Sequence, residues 1–306
     1  MTKATIALGK GSSAGKAKLA KEPQETPLPL TELLRLPAGE VDMSSFDPRA
    51  TTGFPGAKAE APGLTEALAP ELGDLQERLF ATGRSDPAAA RKVLVVLQGM
   101  DTSGKGGIVR HAIGMVDPQG VKITSFKAPT KTELAHPFLW RIERALPDPG
   151  MIAIFDRSHY EDLLVVRVNR LVGESVLDAR YGEINAWEEN LVRDGTVLIK
   201  CFLHISAAGQ KERLLARLDD PTKHWKYNPG DVDARSRWPA YASAYQAVLE
   251  RCSTQHAPWF VIPSDRKWYR NWAVAQLLLE HLRAMNLQWP LADFDVEHEK
   301  ARLAGT

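Results

Sequence analysis

The chain has 306 residues, 44% hydrophobic and 25% charged, with a net charge of +1, which argues against a bulk polyanion-binding protein but leaves room for a local basic cluster. Its two cysteines, Cys201 and Cys252, show neither metal-site nor redox spacing, so a reducing cytoplasm is expected rather than a disulfide scaffold. No apolar run approaches transmembrane length, and neither a membrane nor a nucleic acid is expected as a partner.

Taken in order, residues 1–60 read as a flexible tail followed by a partly ordered arm. Gly9 to Lys16 imitates a phosphate-binding loop, but its glycines are misspaced and no buried strand precedes it. The apolar spacing predicts a helix over Leu64–Phe80. From Arg91 onward strands and helices alternate. Strands are expected at Val93–Leu97, Val121–Phe126, Met151–Phe155, Thr196–Ile205 and Trp259–Ile262. Helices are expected after the first strand, from Lys131 to Leu146, and over Ser158–Leu171 and Ala179–Arg193. Three more fall at Gln210–Leu218, up to Arg251, and from Asp265 to Met285. Buried strands alternating with helices imply a parallel sheet covered on both faces, with ligands gathering at the carboxyl ends of the strands.

The most informative stretch follows the first strand. Gly99-Met-Asp-Thr-Ser-Gly104-Lys105 has the spacing G-x-x-x-x-G-K between a buried strand and a helix. In that setting backbone N–H groups curl around phosphate oxygens and the lysine adds a full positive charge. Gly99, Thr102, Ser103, Gly104, Lys105, Gly106 and Gly107 are therefore candidate phosphate ligands. The usual hydroxyl residue after the lysine, which binds Mg2+, is replaced by Gly106, and Asp101 inside the loop is the candidate replacement. A second carboxylate, Asp156, ends the third strand, where such enzymes hold or orient a metal. Arg157 beside it is placed to neutralise a transferring phosphoryl group. The polar segment Asp219–Asp233, with Lys223, His224, Trp225 and Lys226, reads as a lid over phosphates. Arg213 and Arg217, one helical turn apart just before it, are expected to face the same way. His111, His136, His159 and His204 are read as ordinary hydrogen-bonded residues, since in-line transfer needs no covalent carrier.

These motifs together resemble the polyphosphate kinase 2 family over roughly Ala61 to Leu287. They are Gly99–Gly107, Lys127-Ala-Pro-Thr130, Asp156-Arg-Ser-His-Tyr-Glu-Asp162 and Asp220-Pro-Thr-Lys-His-Trp-Lys226. The resemblance implies a phosphate-loop, thymidylate kinase-like fold: a five-stranded parallel sheet between helices, in a domain at 61–290. A helical lid at about 207–252 and a C-terminal tail at 291–306 complete it. It implies phosphoryl transfer between inorganic polyphosphate and nucleoside mono- or diphosphates, with Mg2+ or Mn2+, in a homodimer or homotetramer. By motif, Asp101 and Asp156 would hold metal, Lys105 and Arg157 would act in catalysis, and Arg217, Lys223 and Lys226 would line the polyphosphate track. Lys127, Pro129 and Thr130 would sit by the nucleotide. Asp156 matches the diphosphate-using pattern, whereas His159, Glu161 and Asp162 match the monophosphate-using one, so acceptance of AMP as well as ADP is expected, with Glu161 facing the acceptor. An ATP-dependent nucleoside monophosphate kinase and a slow phosphate-loop switch are the alternatives.

Overall fold

The computed structural model describes residues 28–306. A helical turn α1 (Leu30–Leu33) opens the described chain, followed by α2 (Ala61–Glu66) and α3 (Ala69–Ser85). Then come β1 (Lys92–Gln98), α4 (Lys105–His111), β2 (Val121–Ser125), α5 (Lys131–Leu134), α6 (Trp140–Glu143) and β3 (Ile152–Asp156). The second half runs α7 (Glu161–Val168), α8 (Glu174–Arg193), β4 (Thr196–His204), α9 (Ala207–Leu218), α10 (Gly230–Ser236) and α11 (Trp238–Cys252). It finishes with β5 (Trp259–Pro263), α12 (Lys267–Ala284) and α13 (Val296–Ala304). The strands form one five-stranded parallel sheet in the order β2-β3-β1-β4-β5, the architecture expected from the alternating pattern.

Strand periodicity divides the core into two. Val93, Val95 and Leu97 of β1 join Leu72 and Leu79 of α3, Ile108 of α4 and the long apolar face of α12 on one side. Leu94 and Val96 point the other way, into a layer built from α7, α8 and α11. Because β1 is central and buried on both faces, its near-continuous apolar run is what a two-sided sheet requires. The register pairs Leu97 with both Asp156 and Cys201, so the loop after β1 emerges beside the end of β3.

The edge of β5 is not left open. Leu36 N–H donates to Trp259 O (2.8 Å) and Val261 N–H to Leu34 O (2.9 Å), and an antiparallel bridge joins Arg35 to Phe260. The arm thus satisfies backbone groups that would otherwise template another strand. Further on, Phe54 packs edge-on against Trp268 and Trp272, at 4.8 and 4.9 Å between ring centroids.

Three expectations change in detail. The helix predicted for 131–146 is split into α5 and α6, with Pro137, which cannot supply a helical N–H, between them. The helix predicted for Leu64–Phe80 is two, because Pro70 opens a new first turn in α3. Residues 291–306, expected as a tail, contain α13, N-capped by Asp295 and without a buried residue. The misspaced glycine stretch Gly9–Lys16 lies outside the described residues.

Candidate active site

The loop between β1 and α4 is held by its own chemistry. Lys105 Nζ donates to Gly99 O across the loop (2.9 Å), and Gly104 sits at φ 114° as the residue before α4. A Cβ on Gly104 would occupy the place of the Arg270 guanidinium, so only glycine fits there. Thr102 also has a left-handed backbone (φ 65°), unusual for a β-branched residue. Its carbonyl is held by Arg213 Nη1 at 2.7 Å, which explains how the strain persists.

Beneath the loop two guanidinium groups converge. Arg213 donates to the carbonyls of Thr102, Ser103 (3.0 Å), Ser264 and Asp265 (3.1 Å), and Arg270 donates to Ser103 O at 2.9 Å. Burial, followed by the nearby charge of Arg213, pushes the Arg270 pKa down to about 9. Burial likewise lowers that of Arg213. Two desolvated cations therefore stand behind the loop and raise the local positive potential. This corrects the expectation that Arg213 faces substrate beside Arg217: its donors are spent on backbone carbonyls. Gln210 adds a third support, donating to Asp101 O (3.0 Å), and is itself held by Arg235 Nη1 (3.0 Å).

At the end of β3, Arg157 N–H donates to Leu97 O (3.1 Å) and Phe126 N–H to Asp156 O (3.0 Å), stitching the strand end on both sides. Arg157 has φ 65° and reaches Asp101 Oδ1 at 2.9 Å. Burial opposes its charge, but the Glu161 and Asp101 carboxylates outweigh that and raise its pKa. Burial raises the Glu161 pKa, with Arg157 and Lys105 working against it. For Lys105, burial and then Arg157 lower the pKa, while Asp156, Asp101 and Glu161 oppose. Four charged side chains thus share one electrostatic neighbourhood with Asp156.

Behind this strand end lies a buried polar cluster. Glu188 Oε1 accepts from Tyr160 OH (2.7 Å) and lies 3.1 Å from His159 Nε2, while its Oε2 accepts from Lys200 Nζ (2.6 Å). Lys200 also donates to Tyr160 OH (2.9 Å) and Cys252 O (2.6 Å), so its ammonium is fully paired. Burial keeps His159 below its ordinary pKa, as a neutral ring. His204 bonds Phe46 O at 3.0 Å, and His136 stacks on Trp140 with ring centroids 4.0 Å apart.

A cleft of about 760 Å³ opens at the carboxyl ends of the strands. It brings together Asp101, Thr102, Gly104, Lys105, Gly106, Gly107, Asp156, Arg157, Lys127, Arg217 and Lys226, as well as Trp225, which is 79% exposed. Gly99 and Glu161 line a separate, smaller cavity of about 50 Å³ with Asp101, Arg157, Arg235, Tyr241 and Tyr245. Asp101 and Arg157 form the wall common to the two. Ser103 is fully buried, and Lys223 is paired with Asp220 at 2.6 Å and does not line the cleft. Pro129 is outside it too, and Thr130 caps α5 in a reciprocal box with Glu133. Sequence reasoning missed Gln210, Arg235, Arg270 and the tyrosines of α11. Arg270 alone had a visible signal, a cation within the apolar run of α12.

Asp156 presents a carboxylate that has no hydrogen-bond or ion-pair partner among the described residues, and Asp101 stands across the same cleft. Two hard oxygen donors beside a phosphate loop fit Mg2+, which takes one or two protein carboxylates and completes its shell with phosphates and water. No all-protein cage of three or more ligands exists among the described residues, in keeping with that mode.

A strand, a glycine loop closed by lysine, a helix, and a carboxylate on the neighbouring strand define a phosphate-loop phosphotransferase of the α/β class. Residues 64–290 match the polyphosphate kinase 2 (PPK2) family model. The chain belongs to the polyphosphate kinase 2 family and is a phosphotransferase enzyme, as the motifs had implied. It is 44% identical to the AMP/ADP-polyphosphate phosphotransferase of Meiothermus ruber over 254 residues, covering 83% of this chain and 93% of that one. With the ADP-polyphosphate phosphotransferase of Rhodopseudomonas palustris it shares 36% identity over 273 residues, 85% and 92% of the two chains. The crystal structure of polyphosphate kinase 2 from Arthrobacter aurescens TC1 superposes with a TM-score of 0.88 at 46% identity, covering 92% of this chain and 99% of that one. The family uses a divalent metal. No helix among the described residues is long and apolar enough to cross a membrane.

Proposed function

We propose that the enzyme transfers the terminal phosphoryl group of inorganic polyphosphate to ADP and to AMP, building ATP in two steps. The observation that carries this reading is the single cleft in which Lys105, Asp101, Asp156, Arg157, Arg217 and Lys226 meet. The terminal phosphoanhydride bond breaks as a new bond forms from an acceptor phosphate oxygen to the transferred phosphorus. Polyphosphate leaves one unit shorter, and the reverse path lengthens it. Loop amides and Lys105 grip phosphate oxygens. Asp101 and Asp156 would hold Mg2+, which neutralises charge on bridging oxygens when bound. Arg157 orients the transferring group from its fixed place against Asp101, and Arg217 and Lys226 hold the donor beneath the polar segment Asp219–Asp233, since α11 of the expected 207–252 lid is packed in the core.

Glu161 supports the AMP assignment. It lines the small cavity behind Asp101 and Arg157, which places an acidic side chain beside the cleft wall on the acceptor side, where a carboxylate disfavours the more highly charged diphosphate. The name of the Meiothermus ruber relative, which covers AMP and ADP, agrees. The test is a coupled assay of the purified enzyme with polyphosphate and either AMP or ADP, repeated with Glu161→Gln. ATP from ADP and ADP from AMP are expected, and the substitution should shift the AMP-to-ADP ratio. Turnover of AMP with ATP but not with polyphosphate would make the enzyme a nucleoside monophosphate kinase instead.

A further inference from the structure

A second cavity, of about 660 Å³, lies on the other side of α9 and shares with the site described above only the supporting Arg213 and Asp265. Besides Arg213, whose donors are spent on backbone carbonyls, its cations are Arg49 and Lys58 from the arm and Arg266 and Lys267 at the start of α12. All four side chains are exposed, and none has a carboxylate within ion-pair distance among the described residues. Of the two carboxylates in the groove, Asp265 is spent on Ser206, accepting from its N–H (2.9 Å) and Oγ (2.7 Å). Glu212 is the other. The arm is fastened just here: Asp265 N–H donates to Pro48 O at 2.9 Å, and Tyr269 OH to Thr52 O at 2.8 Å.

The groove and the cleft flank the same helix. Consecutive α9 residues divide between them, Ala216 lining the groove and Arg217 the cleft, and Arg213 joins the groove wall to the carbonyls of the phosphate loop. Partial burial lowers the pKa of Lys267, and the charges of Arg213, Arg270 and Lys223 add to the effect. Cations that repel one another in this way gain most when a polyanion arrives.

We propose that this groove binds the distal phosphates of the polyphosphate donor, so that the arm forms part of the polymer track. The proposal rests on polyphosphate being the donor. A condensed phosphate chain too long for the cleft must leave it, and four unpaired cations stand across α9 from it. Arg49 and Lys58 lie in the arm, upstream of residue 64, where the match to the family model begins.

Two double variants test it, Arg49→Gln with Lys58→Gln and, independently, Arg266→Gln with Lys267→Gln. Each is measured for the KM of long-chain polyphosphate, the KM of ADP, and inhibition by tripolyphosphate, which the cleft alone accommodates. Either pair should raise the long-chain KM about fivefold at low ionic strength and flatten its dependence on salt. The KM for ADP and the tripolyphosphate inhibition constant should stay as in wild type. An unchanged long-chain KM, or equal shifts for long and short phosphates, overturns the groove while leaving the phosphotransfer reading in place. A wild type that makes no ATP from polyphosphate of any length overturns that reading, and the groove with it.

Discussion

Gly104→Ala separates the loop's structural needs from its chemical ones. The new methyl group would fall on the Arg270 guanidinium, and the backbone there has φ 114°. The left-handed conformation costs an L-residue about 1–2 kcal/mol. Arg270 can swing aside only by giving up its buried bond to Ser103 O, a charged hydrogen bond contributing about 1.5–3 kcal/mol. Together the loss is about 2.5–5 kcal/mol. At roughly 2–4 °C per kcal/mol that lowers Tm by about 5–20 °C. Gly106→Ala is the control, because its methyl would meet nothing within 4 Å and its residue lies in the first turn of α4. Its Tm should match or slightly exceed that of wild type. Scanning calorimetry of the three proteins, with circular dichroism to confirm folding, decides the matter. A Gly104→Ala Tm within about 2 °C of wild type, or an equal fall in Gly106→Ala, would refute the reasoning.

Asp156→Asn and Asp101→Asn should each lower kcat by about 100-fold or more with Tm nearly unchanged, since both stand at strand-end or loop positions in the cleft. Near-normal turnover in either folded variant would remove that carboxylate from the mechanism. Stability should also fall in mild acid. Burial holds His159, His204 and His281 below the ordinary histidine value of 6.5, so below that pH the unfolded chain takes up protons that the folded one refuses. The stability is complete above that value and is lost as pH falls through and below it. Tm that does not decline between about pH 7.5 and 5.5 would show that these rings are not held neutral.

The sheet and its carboxyl-end cleft were readable because two signals coincided, near-continuous apolar runs and a glycine spacing with one known use. Asp101, Lys105, Asp156 and Arg157 were legible for the same reason: each has its place in a local motif. Arg213 was misassigned because helical spacing places side chains on a face but does not say what the rest of the chain puts opposite. Here the opposite surface is the underside of a loop 110 residues away in sequence. Pro137 was visible in the sequence, and its effect in dividing α5 from α6 follows from its missing N–H. The Glu188–Lys200 pair lay beyond reach. A lysine within a strand reads as a solvent-facing residue until α8 is seen to bring a carboxylate to it.

The arm's hold on β5 sets an order of assembly. Leu36 pairs with Trp259, and the amides of Leu30 and Thr31 are received by the Glu280 carboxylate at 3.0 and 2.8 Å, across 250 and 249 positions of sequence. During synthesis the arm emerges early, but its partners are among the last elements made. Contacts so distant in sequence carry a large closure entropy and form once the sheet between them exists. The segment made near the beginning is therefore docked near the end. Until then the edge of β5 is open to other chains, and a nascent or heat-stressed molecule is most prone to mispairing at that edge.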